Sequence, residues 1–238
     1  MIKLLTFDLD NTLWDVDSIV LRADKAMRDW IRDQHADFAA GFDFRAMRAL
    51  RDEVMVQRPD IHHDLTQLRT EVLRRAFLAG GYGEAEALVA AQGAFDAFFR
   101  ERNRVEFFPD VLEGLATLRR DYEMYSISNG NADIQRVGLG HVFSRHFSAI
   151  SVGAAKPDPR IYQAALDAAG VTPQEVLHVG DDPEQDVQAA AALGMHTVWV
   201  NYGDKVWPEP LPPATAQISR FAELLPLVQQ LQRQLDGR

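Results

Sequence analysis

The chain has 238 residues, longer than the commonest domain size of roughly 100–150 residues, and its 47% hydrophobic and 25% charged composition excludes a disordered, collagen-like or low-complexity polymer. Its 25 Lys+Arg against 35 Asp+Glu leave a formal charge of −10, which repels a phosphodiester backbone and argues against nucleic acid as a main partner. With no cysteine there is no disulfide, thiolate nucleophile or Cys-ligated metal centre, so any chemistry falls to oxygen and nitrogen groups.

In chain order, the first predicted strand is Ile2–Phe7. Asp8 interrupts it before a signal-peptide core can form, and no later stretch approaches the ~20 apolar residues of a membrane span, so a cytoplasmic protein without a membrane partner is expected. The next strand pattern begins only at Met124, far beyond an ordinary crossover, and the intervening stretch is patterned as helix. Leu65, Leu68, Val72, Leu73, Ala76 and Phe77 form one apolar stripe at helical spacing, and Ala94, Phe95, Phe98 and Phe99 form another. The expectation is a helical bundle inserted over 15–105, with a core domain made of 1–14 and 106–238.

Further strands are predicted at Met124–Ile127, Ala149–Val152, Val176–Val179 and Thr197–Val200. Asp158-Pro159 opens a helix over Ile161–Ala169 that Gly170 ends, and Thr172-Pro173-Gln174-Glu175 has capping-box spacing. Asp182-Pro183 opens another helix, through Val187–Leu193 to Gly194. The proline-dense Trp207–Pro213 predicts a surface loop, and Phe221–Leu235 a final helix. Strands alternating with helices imply an α/β fold: a three-layer, Rossmann-like parallel sheet covered on both faces.

Ligands of such a sheet bind beyond the carboxyl ends of its strands. This chain places Asp8, Asp10 and Thr12 there after the first strand, Ser128-Asn129-Gly130 after the second, Lys156-Pro157 before the Asp158 helix, and Asp181, Asp182 and Asp186 after the fourth. Gathering these carboxylates against one lysine leaves an excess of negative charge that a cation must offset. An all-oxygen donor set that also receives a phosphate favours Mg²⁺, held by Asp8, the main-chain carbonyl of Asp10 and Asp181.

Phe7-Asp8-Leu9-Asp10-Asn11-Thr12-Leu13, Ser126-Ile127-Ser128-Asn129-Gly130, Ala155-Lys156-Pro157 and Gly180-Asp181-Asp182-Pro183-Glu184-Gln185-Asp186 resemble the four ordered motifs of the haloacid dehalogenase superfamily of phosphohydrolases. The resemblance runs from Met1 to about Val200, with the helical insertion where the superfamily's type-one cap lies. Pro59-Asp60-Ile61-His62-His63-Asp64 and the turn Ser128–Asn131 are similar to the bacterial branch that includes a flavin mononucleotide phosphatase.

The resemblance implies that Asp8 attacks phosphorus to give an aspartyl-phosphate, and that Asp10 protonates the departing alkoxide and then deprotonates the attacking water. Lys156 would neutralise Asp8 and the phosphate, which Ser128, donating from its hydroxyl, and Asn129 would also bind, with Asn129 and Gly130 shaping the turn beside it. Asp181 matches the metal ligand, Asp186 would orient Lys156 or water on the metal, Asp182 would cap its helix, and Thr12 would brace the first motif loop. Trp14, His62 and His63 are candidates for contacting a heteroaromatic leaving group, the alternatives being a packing tryptophan and an ordinary cap-loop histidine pair.

The expected substrate is a small-molecule phosphate ester, first a flavin nucleotide or the phosphorylated ribitylamino-uracil precursor of riboflavin, taken by a monomer or homodimer. A dehalogenase lacks the second aspartate, here Asp10. A phosphonate hydrolase needs a cap lysine as a Schiff base, and the only one is Lys25, among the charged neighbours Arg22 and Asp24. A phosphomutase and a catalytically silent phosphoanion-binding module stay open as alternatives.

Overall fold

The computed structural model describes residues 1–203 and 205–237. Among these, one six-stranded parallel sheet is formed by β1 (Leu4–Phe7), β2 (Glu123–Ser128), β3 (Arg145–Ser148), β4 (Val176–Gly180), β5 (His196–Val200) and β6 (Ala216–Ile218), ordered β3-β2-β1-β4-β5-β6. The central strands β1 and β4 are buried along their whole length, which is why they read as near-continuous apolar runs. Connections run to one side of β1 for β2 and β3 and to the other side for β4 to β6, so the topological switch point falls between β1 and β4. Phe7 pairs with Ser126 on one side and Val179 on the other, a register that brings the residues after all three strands out at one sheet edge.

The chain divides into two compact units, one made of Met1–Asp15, Glu106–Gly130 and the chain from Ile134 onward, the other of Val16–Val105 with Asn131–Asp133. The second unit is helical: α1 (Val16–Gln34), α2 (Ala36–Gly41), α3 (Ala46–Gln57), α4 (Leu65–Ala79) and α5 (Glu84–Arg102). The Asp64 carboxylate caps α4 by accepting from the Gln67 N–H at 2.8 Å. Leu68, Val72, Leu73, Ala76 and Phe77 are buried, whereas Leu65, in the first turn, is exposed. Helices α1 and α5 approach so closely at Gly93 that a Cβ there would stand 2.4 Å from the Trp30 ring.

In the sheet-bearing unit the helices are α6 (Val111–Leu118), α7 (Ala149–Val152), α8 (Pro159–Ala169), α9 (Ala189–Ala192) and α10 (Leu224–Leu235). Asp158 caps α8 by accepting from the Arg160 N–H, and Gly170 ends it in the left-handed conformation, φ 65°. Ile161, Tyr162 and Leu166 of α8 pack with Leu4, Tyr125, Ile127 and Val176 of the sheet. Residues 207–213 are loop, and the last helix opens with a 3₁₀ turn at Phe221–Glu223.

One expectation about a strand and one about a helix require correction. Ala149–Val152 is helix, not strand: Ser148 and Ser151 exchange side-chain and backbone hydrogen bonds as a capping box, and the third strand lies one segment earlier, at Arg145–Ser148. β3 is an edge strand, at most partly covered, and three of its four residues, Arg145, His146 and Ser148, are polar, so it lacks the apolar run that marked the central strands. The edge strand β6, Ala-Gln-Ile, is only three residues long, too short for a strand pattern to show in the sequence. The helix after Asp182 also differs in kind: residues Pro183–Gln188 form a π-helical turn before α9 begins.

Candidate active site

Asp8 follows β1 directly, and its N–H bonds the Val179 carbonyl at 2.9 Å, which fixes it at the switch point between β1 and β4. The chain turns back at Asn11, whose φ of 59° lies in the left-handed region that asparagine tolerates better than most residues. The turn lets Thr12 Oγ1 donate to Asp8 Oδ2 at 3.1 Å and Trp14 Nε1 donate to Asp10 Oδ1 at 2.7 Å. Tyr202 adds a hydrogen bond from its hydroxyl to the Thr12 carbonyl at 3.0 Å.

The Lys156 ammonium bridges two buried carboxylates, 2.5 Å from Asp8 Oδ1 and 2.6 Å from Asp186 Oδ1. Burial disfavours its charge, but the attraction of Asp186 and Asp8 outweighs burial and holds its pKa well above the ordinary value. Asp186 is likewise opposed by burial, yet Lys156 and His178 keep it below the usual carboxylate range. For Asp8 burial wins: together with the negative charges of Asp186 and Asp181 it raises the carboxyl well above its ordinary value despite Lys156. Asp181 is pushed up to about 6 by burial and by Asp186, against the pull of Lys205, whose Nζ lies 3.4 Å from its Oδ2.

The raised carboxyls of Asp8 and Asp181 mark an excess of negative charge that one more cation would offset. Oxygens of Asp8, Asp181 and Asp186 lie within 4.8 Å of one another, an all-oxygen donor set that suits a hard divalent ion. Asp186 already accepts from Lys156 Nζ, from the Asp182 N–H at 3.0 Å and from His178 Nε2 at 3.3 Å, which leaves Asp8 and Asp181 as the carboxylates best placed to hold it.

Ser128, buried at the end of β2, accepts the Gly130 N–H on its Oγ at 3.0 Å. The structure changes the part expected of Asn129. Its two amide hydrogens go to the Lys156 carbonyl at 2.8 Å and to Gln185 Oε1 at 2.7 Å, and its oxygen accepts the Lys156 N–H at 2.7 Å, so the side chain clamps the lysine's backbone and has no amide hydrogen left for a phosphate. Of the two readings of Trp14, the geometry favours packing. The side chain is fully buried and edge-on to Phe107 at 5.7 Å, so it offers no open ring face and acts on Asp10 instead. Asp182 caps the π turn, accepting the Glu184 and Gln185 N–H groups at 2.9 and 2.8 Å. His62 and His63 lie in the helical unit, His62 exposed and bonded to the Met55 carbonyl, His63 half-buried.

Sequence reasoning passed over His178, Gln185 and Tyr162, whose hydroxyl donates to the Gln185 carbonyl at 2.5 Å. The available signal was His178 itself, a polar residue in an otherwise apolar strand whose neighbours are all buried.

Residues 2–194 match the family model described as haloacid dehalogenase-like hydrolase. The chain belongs to that family. It is 32% identical over 231 residues to 5-amino-6-(5-phospho-D-ribitylamino)uracil phosphatase YigB of Escherichia coli K12, covering 95% of this chain and 96% of the relative. A glyceraldehyde 3-phosphate phosphatase of Methanopyrus kandleri is 30% identical over 249 residues, covering 97% and 99%. Among solved structures, a 2-haloacid dehalogenase of Pseudomonas syringae superposes with a TM-score of 0.92 at 33% identity, covering 97% of this chain and 100% of the other. The relatives of this hydrolase thus carry the names of both phosphatases and dehalogenases.

Proposed function

We propose that this hydrolase is a Mg²⁺-dependent phosphatase that cleaves a small phosphomonoester through an aspartyl-phosphate on Asp8. The observation that carries the reading is the pairing of the buried Asp8, held by Lys156 and Thr12, with a second acid two residues on that Trp14 holds in place. In the first step an Asp8 oxygen bonds to phosphorus as the ester P–O bond breaks, and Asp10 gives its proton to the departing alkoxide. In the second, Asp10 takes a proton from water as the water oxygen bonds to phosphorus, which frees Asp8 and inorganic phosphate.

Lys156 offsets the charge of Asp8 and of the phosphoryl group throughout, and Ser128 with the turn after it binds the phosphoryl oxygens. Asp8, Asp181 and the Asp10 carbonyl would hold Mg²⁺, which supplies charge neutralisation where phosphoryl oxygens meet carboxylates. The identity and near-complete coverage shared with the ribitylamino-uracil phosphatase support that phosphate ester, or flavin mononucleotide, as the substrate.

A second reading, release of halide from a 2-haloacid, is favoured by the name of the Pseudomonas syringae neighbour. The presence of Asp10 argues against it, because an ester needs a proton donor for its leaving group and a halide does not. A panel of phosphomonoesters and 2-haloacids, assayed with Mg²⁺ and with chelator, separates the two. The expected result is Mg²⁺-dependent phosphate release, highest on the flavin-related esters and abolished by Asp8→Asn; metal-independent halide release with no phosphate release would overturn the proposal.

A further inference from the structure

Behind the reacting groups lies a buried polar relay that the proposed mechanism does not use. His178 of β4 is 1% exposed. Its Nδ1 is 2.8 Å from Thr6 Oγ1 on the neighbouring strand β1, its Nε2 is 3.3 Å from Asp186 Oδ1, and the Tyr162 ring meets it edge-on at 5.2 Å. An ionised carboxylate can only accept, so His178 presents Nε2–H to Asp186; Nδ1 is then the lone-pair nitrogen, and the Thr6 hydroxyl donates to it. Asp186 therefore selects the tautomer, and the Thr6 hydroxyl anchors the ring by donating to its remaining lone pair.

Asp186 is gripped from other sides too. Its Oδ2 accepts the Asp182 N–H, and it lies so close to Gly180 that a Cβ there would be 2.3 Å from Asp186 Cγ. Of the carboxylate's partners in this set, only Lys156 is a flexible side chain, a point charge on a four-carbon stem with no directional preference of its own. The ammonium can sit at Asp8 reproducibly only if the carboxylate on its other side does not rotate.

We propose that His178, its ring anchored by Thr6, is a positioning residue for the hydrolysis: it locks the Asp186 carboxylate so that Lys156 bridges Asp186 and Asp8 in the reactive arrangement. This rests on Asp8 being the nucleophile. A neutral imidazole suits the task, because it donates a hydrogen bond to Asp186 without adding a cation that would compete with Lys156.

The test is steady-state kinetics on an aryl phosphate with saturating Mg²⁺, using His178→Leu, His178→Gln, Thr6→Val and Thr6→Ser, with unfolding midpoints measured alongside. His178→Leu is expected to lower kcat about tenfold or more with KM changed less than about twofold. Thr6→Val should lower it several-fold, while His178→Gln and Thr6→Ser, which keep a donor to Asp186 and to His178 respectively, should recover most of the rate. Unchanged kcat in Thr6→Val would overturn the inference even if His178→Leu fails to fold, as would equal losses in His178→Gln and His178→Leu that merely follow stability. Parent chain and Asp8→Asn run in parallel: a parent that releases no phosphate sinks the phosphatase reading and this inference together, whereas an active parent with unaffected variants sinks this inference alone.

Discussion

The ammonium of Lys156 stands 2.5 Å from a carboxylate oxygen of Asp8, a partner 148 positions earlier in the chain. Both groups are buried, and the same ammonium touches Asp186 at 2.6 Å. Removing one partner of a buried ion pair leaves uncompensated charge and typically costs about 3–5 kcal/mol. The cost is tempered here because Asp8, with its raised pKa, can take up a proton when its counter-ion is lost.

Lys156→Met is therefore expected to lose about 3 kcal/mol of stability at slightly alkaline pH and distinctly less near pH 5, where protons replace the missing ammonium. Activity should fall at least about a hundredfold at either pH, because nothing else in the loop neutralises the phosphoryl group. Urea unfolding at the two pH values checks the first part and phosphate release the second. Equal stability losses at both would show that protonation of Asp8 offsets nothing.

In the metal-free protein Asp181 should contribute less stability as pH rises past the ordinary carboxyl range, a contribution read as the difference between the parent and Asp181→Asn. Asp181 has a folded pKa of about 6 against an ordinary 3.8, so between these values this group is more protonated in the folded than in the unfolded chain, and its own contribution to the slope of unfolding free energy with pH is negative. The same protons compete with Mg²⁺. Thermal unfolding with and without Mg²⁺ should show a small stabilising shift near about pH 5 and a larger one above about pH 6.5, levelling off beyond. Asp181→Asn should shrink that shift and weaken its pH dependence, Asp8 still competing for protons; a parent shift of the same size at every pH would contradict the assignment of Asp181 to the metal.

Trp14→Phe keeps an aromatic ring against Phe107 but deletes the N–H that holds Asp10. A lost hydrogen bond to a carboxylate costs about 1.5–3 kcal/mol where its partner stays buried, and less here because Asp10 is only half-buried and water can replace the donor. The expected outcome is a kcat lower by about tenfold, KM nearly unchanged and a modest fall in melting temperature. Full activity in the variant would mean that Asp10 needs no support from the indole.

Much of this architecture was legible before any coordinates. The capping aspartates at 158 and 182, the stop at Gly170 and the apolar runs of β1, β4 and β5 are signals confined to a few neighbouring residues, and they were read correctly. The placement of acidic groups just past strand ends was legible for the same reason, since a parallel sheet presents those ends together. The edge strands were not. β3 carries Arg145 and His146 where a buried strand would carry Val or Ile, and Ala149–Val152, which looked like the strand, is a single helical turn closed by serine caps.

Local order along the chain thus determined the kinds of elements and the kinds of chemistry available: oxygen ligands, one candidate lysine, no thiol. Only the tertiary structure decided who bonds to whom. That Asn129 spends its amide hydrogens on Lys156 and Gln185, and that Thr6 faces His178 across 172 positions, follow from strand order and register. Those are set by the burial of whole faces of the sheet, and a hydrogen-bonding side chain has no means of encoding in its own neighbourhood which distant partner that burial will bring to it.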